Sequence, residues 1–236
     1  MSRRFSIMAL LTASLFLCLM AGCWNPFKPD KDDGGGGGGT EELLPRTSPE
    51  NVLFDLRVIY GNKDNIVNTL EDAHTLAEQY RTLFHPDTFT FYFIEGDQPD
   101  DVPVPWWGLN EEAWSFEHQL LNAKVDGRVQ DITLSWTVGA SVPDNRVDGM
   151  GQPVHPTWRY IHVTAILLDV FEGEIDHQLA NGTADYYFAP DPANSALWVI
   201  TEWRELLPPG GGSSPRSVAA AGASRTTWGH IKGLYR

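Results

Sequence analysis

After Thr47 the apolar residues recur first at helical spacing and then at strand spacing. In TSPENVLFDLRVIY, Val52, Leu53, Leu56, Ile59 and Tyr60 share one helical face. Ser48 suits the N-cap, Pro49 the first helical position and Glu50 the positively polarised first turn. A helix is therefore predicted from Pro49, ended by Gly61-Asn62. A second helix is predicted over Ile66 to Phe84, with Leu70, Ala73, Leu76, Ala77, Tyr80 and Phe84 inward. His85-Pro86-Asp87 stops it, because the residue before a proline resists helical geometry. The period then becomes two: in TFTFYFI, Phe89, Phe91 and Phe93 face one side, Thr88, Thr90 and Tyr92 the other. After a Pro- and Asp-rich loop, Asn110 is placed to cap a third helix, NEEAWSFEHQLLNA. The remainder reads as four long strands in VQDITLSWTV, WRYIHVTAILLDVFE, TADYYFA and ALWVITEWREL. Residues 139 to 156 form a long exposed loop, and Asn181-Gly182-Thr183 a turn between strands. Helices, a strand, a helix and then a run of strands is an α+β order.

The chain before this domain follows other rules. Arg3 and Arg4 precede an almost wholly apolar run from Phe5 to Met20, and Ala21 and Gly22 follow. That is the order of a secretory signal peptide, and the run falls short of the roughly 20 residues a spanning helix needs. Met20-Ala21-Gly22-Cys23, with Leu19 ahead, resembles the lipobox of bacterial lipoproteins, with Met20 where Leu is usual. The resemblance implies cleavage before Cys23 and a diacylglycerol on its sulfur, so that the membrane is the first partner. Several acyl chains anchor far more firmly than one. The residue after the cysteine is Trp24 rather than the aspartate of the enterobacterial inner-membrane signal. This points to the outer membrane of the cell envelope. Residues 23–46 read as a tether of charged residues and six glycines, with an r.m.s. span of roughly 25–30 Å. The folded domain is assigned to 47–208, a flexible Gly/Ser/Ala linker to 209–225, and a docking segment to 226–236, where Trp228, Ile231, Leu234 and Tyr235 have near-helical spacing.

Composition narrows the function. The two cysteines are Cys18, inside the signal, and Cys23, so the exported domain holds together without a disulfide. The net charge is −14, and loss of Arg3 and Arg4 makes it more negative. Such a surface repels phosphate backbones and anionic headgroups, so nucleic acid is excluded as a partner.

SPENVLFDLRVIY, YRTLFHPDTFTFYF and the strands ending in LWVITEWREL look like the NTF2-like superfamily, which includes SnoaL-like and ketosteroid isomerase-like domains. The terminal TWGHIKGLYR resembles the closing segment of NTF2-like bacterial lipoproteins of unknown function. The resemblance implies a cone: a strongly curved, mainly antiparallel sheet wrapped around N-terminal helices, with one largely apolar mouth. It also implies a homodimer across the open sheet. The fold hosts enzymes and plain binding domains alike.

In the resembled isomerases a strand carboxylate takes a proton from carbon while a tyrosine and a second acid hold the oxyanion. Asp131, Tyr92, Tyr160 and His162 are the candidates whose strand positions could point into a cone, with Asp131 as a strand-end cap and His162 as a hydrogen-bonded strand residue as the plainer readings. Trp106 and Trp107, after a Pro-rich loop, and Trp114 are the candidate ligand contacts at the mouth, whereas the strand tryptophans read as core. The seven histidines show no HxH or HExxH pairing, and Asp144 to Gly149 mimics a calcium loop poorly, so no metal or cofactor is expected. Non-enzymatic binding of a small apolar ligand or a protein partner leads. The alternative is a SnoaL- or isomerase-like enzyme acting on a carbonyl or polycyclic compound. A closed apolar cavity bearing Asp131 or His162 opposite a tyrosine would favour the enzyme; an interior filled by aromatic side chains would favour an interaction role.

Overall fold

The structure is a computed structural model that describes residues 41–94, 104–172, 177–206 and 223–227. The expected signal peptide, Cys23 and most of the tether lie outside the described residues, as do most of the linker and the terminal segment after Thr227. The folded unit contains helix α1 (Pro49–Ile66), helix α2 (Leu70–Arg81), strand β1 (Thr90–Tyr92) and strand β2 (Trp106–Gly108). A continuous helical segment follows, made of α3 (Leu109–Trp114), a π-helical stretch (Ser115–Leu121) and α4 (Asn122–Val125). Strands β3 (Asp131–Val138), β4 (Val142–Pro143), β5 (Arg159–Phe171), β6 (His177–Pro190), β7 (Trp198–Leu206) and β8 (Ala223–Thr226) complete it.

The sheet runs in the order β2-β1-β7-β6-β5-β3, with β4 added to β5 and β8 to β6. Most pairs are antiparallel; β1 with β7 and β6 with β8 are parallel. Register shifts fall on neighbouring strands, between Ser135 and Thr137, between Val163 and Ile166, and between Tyr187 and Phe188. Each such bulge bends its strand and increases the local twist, so the long strands curl round the helices without closing. Ala165 marks the bend in β5, with φ of 50°, a left-handed backbone that costs a residue with a Cβ roughly 1–2 kcal/mol. Helix α1 lies against β3 and β7, and α2 against α1 and the π-helical stretch. This is the α+β architecture that the NTF2-like resemblance implies.

Several boundaries differ from the sequence reading. Helix α1 runs through Gly61 to Ile66, so Gly61-Asn62 does not end it. Helix α2 begins later, because Thr69 and Asp72 form a reciprocal capping box: Asp72 N donates to Thr69 Oγ1 at 3.1 Å and Thr69 N to Asp72 Oδ2 at 2.9 Å. Leu70, expected inward, is therefore exposed in the first turn. The cap of α3 is Gly108, whose N–H donates to Glu111 Oε2 at 3.1 Å, rather than Asn110. Asn181-Gly182-Thr183 is not a turn but lies within β6. The start of the domain reaches into the assigned tether: Leu44 N donates to Asp55 Oδ1 at 2.8 Å, and Arg46 pairs with Asp191 at 3.3 Å and accepts from Trp198 N at 2.8 Å. Ala223 to Arg225, assigned to the linker, belong to β8, which pairs with the edge of β6 over His177 to Ala180.

Candidate functional site: the two faces of the sheet

The inner face, toward the helices, is aromatic. Phe91, Tyr186, Phe188 and Trp203 of the sheet meet Tyr60, Tyr80 and Phe116 of the helices, all fully or almost fully buried. Tyr80 stacks on Phe116 at 4.1 Å, Phe91 meets Trp203 edge-on at 5.1 Å, and Tyr186 lies 5.0 Å from Trp203. Glu112 of α3 is fully inside: it accepts from the Tyr80 hydroxyl and, at 2.9 Å, from Trp107 Nε1. Burial, the Glu112 carboxylate and Tyr60 push the Tyr80 hydroxyl well above the usual tyrosine range. Burial does the same to Tyr186.

The outer face carries the candidate residues. Tyr92, Tyr160 and His162 do not point into a cone; they alternate with the buried Phe91, Phe93, Ile161 and Val163 and therefore face away from the helices. Asp131 also stands on the outer side, at the start of β3, where Oδ1 accepts from Ile132 N at 2.6 Å and caps the strand end. The register assembles the others. Trp106, Tyr92, Arg204, Asp185 and His162 are direct neighbours across β2, β1, β7, β6 and β5. The adjacent row is Thr90, Glu202, Tyr187, Tyr160 and Val142. Tyr160 thus joins His162 on one acceptor: Asp185 Oδ1 receives the Tyr160 hydroxyl at 2.9 Å and lies 2.7 Å from His162 Nδ1. Burial and the Asp185 carboxylate raise the Tyr160 hydroxyl above its usual range.

Arg146, from the long loop, closes the other end of this face. Nη1 donates to both oxygens of Glu202 at 2.9 Å, and Nε and Nη2 donate to Asp144 at 2.7–3.0 Å. The guanidinium lies 3.8 Å from the centre of the Tyr187 ring and 5.6 Å from that of Trp158. Burial alone would raise the Asp144 carboxyl; the hydrogen bonds and charge of Arg146 outweigh it and hold the carboxyl below the usual range. Arg204 completes the network, donating to Glu202 at 2.6 and 2.9 Å over the Tyr92 ring. The Asp144–Gly149 segment accordingly offers no calcium cage: Asp144 is taken by Arg146, and Asp148 Oδ1 accepts from Met150 N and Gln152 N. Among the described residues no three His, Cys, Asp or Glu side chains converge as metal ligands.

The three mouth tryptophans separate. Trp107 is core and serves Glu112, while Trp106 and Trp114 are exposed, Trp106 on the outer row and Trp114 stacked on His118 at 5.1 Å. His85 behaves as a turn residue, its Nδ1 accepting from Asp87 N and Thr88 N at 3.2 Å. A groove opens where β7 leaves β6, lined by the inner-face residues Ile166, Ala184 and Trp203 with Ile94, Glu205 and Thr227 among others; neither Asp131 nor His162 reaches it. The residues missed from sequence are Glu112, Asp144, Arg146, Asp185, Glu202 and Arg204. Alternation in TADYYFA and in TEWRE places Asp185 with Tyr187 and Glu202 with Arg204, but only strand pairing brings the two pairs together.

No family model matches the chain, and no curated protein matches it. Among solved structures, a candidate aromatic ring hydroxylase from Novosphingobium aromaticivorans aligns at 10% identity and a TM-score of 0.38, over 66% of this chain and 86% of its own. A nuclear transport factor 2 (NTF2-like) superfamily protein from Salmonella enterica serovar Typhimurium aligns at 14% identity and a TM-score of 0.36, over 70% of this chain and 97% of its own.

Proposed function

We propose that this chain is a lipoprotein of the bacterial cell envelope, held by acyl groups on Cys23 and carrying a non-enzymatic domain that binds a protein partner. The observation that carries the binding reading is the filled interior. Where a cone would hold a small apolar ligand, Tyr60, Tyr80, Phe116, Tyr186 and Trp203 pack on one another, and the buried Glu112 already receives a hydroxyl and an indole N–H. A base must be reachable by the proton it takes, and this one is not. The outer face instead presents tyrosine, tryptophan and arginine on rigid strands, residue types enriched at interaction surfaces. Outer-membrane attachment follows from the lipobox-like ending and Trp24.

The anchor is tested by labelling cells with radioactive palmitate and by detergent phase partition. The full chain is expected in the detergent phase with label, and Cys23→Ser in the aqueous phase without it. A labelled Cys23→Ser protein would overturn the anchor. The interior is tested with 1-anilinonaphthalene-8-sulfonate, for which no saturable one-to-one site is expected. Saturable binding would restore the small-ligand reading. The enzyme alternative has one observation in its favour, the convergence of Tyr160 and His162 on Asp185. It would require acceleration of enone formation from a β,γ-unsaturated ketosteroid, lost in His162→Gln; the expected rate is that of buffer.

A further inference from the structure

The 139–156 loop is long and exposed, yet it is tied down as firmly as a strand. Val147 and Pro153 bridge as in an antiparallel hairpin, with Asp148 N donating to Gln152 O at 2.8 Å and Val154 N to Arg146 O at 3.0 Å. At the tip Gly151, with φ of 79°, donates to Asp148 O at 3.0 Å, and Asp148 Oδ1 takes Met150 N and Gln152 N at 2.8 and 2.9 Å. The N–H groups of residues 148, 150, 151, 152 and 154 are thus all engaged within the hairpin. Beside the exposed Asp148 and Gln152 it turns three large apolar side chains outward: Val147 is 58% exposed, Met150 83% and Val154 47%. At its base Arg146 is fastened by Asp144, Glu202 and the Tyr187 ring.

We propose that the hairpin at 147–154 is a preordered anchor that inserts Met150, flanked by Val147 and Val154, into an apolar pocket on a partner protein whose rim carries lysine or arginine. This rests on the protein-binding reading above and deepens it. Ordering a free loop on association costs roughly 1–2 kcal/mol per residue; here that cost falls on folding instead. The engaged N–H groups can leave water without losing their partners, so covering Met150 and its valines leaves none of these five backbone donors unpaired. The charge of the partner follows from Asp148, two residues from Met150, and from a chain of net charge −14. Both disfavour insertion among anionic headgroups, and the net charge disfavours a second copy, which carries the same −14. A cation at the pocket rim meets Asp148 instead. Methionine is the side chain that adapts to an irregular pocket.

The test uses the full chain in its native membrane, with p-benzoylphenylalanine replacing Met150, Trp106 or Leu70 in separate strains. Irradiation is expected to give a single protein adduct at position 150 and none at Leu70. The linked partner peptide is expected to be apolar and bordered by Lys or Arg. Adding Val147→Asp should lower the adduct yield about tenfold, the loss of one buried valine's contribution. Val154→Asp is the second such variant, and both keep the parent melting temperature because these side chains are exposed. An adduct with lipid, an adduct with a second copy of the chain, or a yield indifferent to both substitutions overturns the proposal. An adduct at Trp106 with silence at 150 overturns the hairpin assignment and leaves the interaction reading standing. Silence at all three overturns both.

Discussion

The two faces of one curled sheet solve opposite problems with the same side-chain types. On the inner face tyrosine and tryptophan are packing units, and the polar atoms of two of them, Tyr80 and Trp107, serve the buried carboxylate of Glu112. On the outer face the rings of Tyr187 and Tyr92 are platforms for guanidinium groups, and the Tyr160 hydroxyl joins His162 on Asp185. What differs is the dielectric. Inside, water is gone, so every unmade bond is costly and rings are chosen for area. Outside, partial solvation lets several charges sit together, each pair screened and each worth less. The inner face therefore reads as stability and the outer face as recognition.

The sharpest way to break that contrast is Trp203→Ala, which should cost about 4 kcal/mol in urea unfolding, because a large buried ring leaves a cavity that its neighbours cannot fill. A loss under about 1 kcal/mol would mean that the interior is loose enough to admit a ligand. Glu112→Ala should cost about 3 kcal/mol by the same measurement, since it leaves the Tyr80 hydroxyl and the Trp107 N–H buried without their acceptor.

On the other face Arg146→Ala is expected to cost less, about 2 kcal/mol, because the site is partly solvated and water replaces some of what Asp144 and Glu202 lose. Its clearer signature is local: hydrogen exchange at the amides of Gly151, Gln152 and Val154 should quicken while those of β6 stay protected. Uniform quickening would show that the outer network stabilises the whole domain, and the contrast would fail.

The smallest effect is a pH dependence. The folded Asp144 carboxyl is held below its ordinary value, so its contribution to stability is complete above the unfolded pKa of about 3.9 and disappears as pH falls through the lower folded value. Asp144→Asn should flatten the acid limb of a stability-versus-pH curve below about pH 4 and leave its shape near neutrality unaltered. An unchanged acid limb would remove Asp144 from the network that fastens the loop.

Much of the inner face was legible in the sequence. The phenylalanines of TFTFYFI, the apolar face of α1 and the alternation in DITLSW each point to one buried side, and all are buried as read except Trp136, which is half-buried. Boundaries were less legible, because capping is a local contest: Thr69 and Asp72 outcompete the apolar signal of Leu70. The outer site was half legible. Tyr92, Tyr160 and His162 were singled out, but for the wrong face, since a period of two separates the faces without saying which one meets the helices. Glu112 stands in the acidic first turn of its helix beside Glu111, and nothing in its neighbours along the chain marks it as the buried acceptor of Tyr80 and Trp107.

By itself the sequence determined the periods of the elements, the α+β order, the acidity of the chain and the absence of a cysteine pair from the domain after Cys23. These follow from residue type and spacing over a few neighbours. Only the tertiary structure decided which side of the sheet is inside, which strands lie next to one another, and hence that Arg146, Asp185, Glu202 and Arg204 meet. Those are contacts between residues far apart in the chain, fixed by strand register and by the helices that cover one face. Local pattern carries no information about register until the chain has closed on itself.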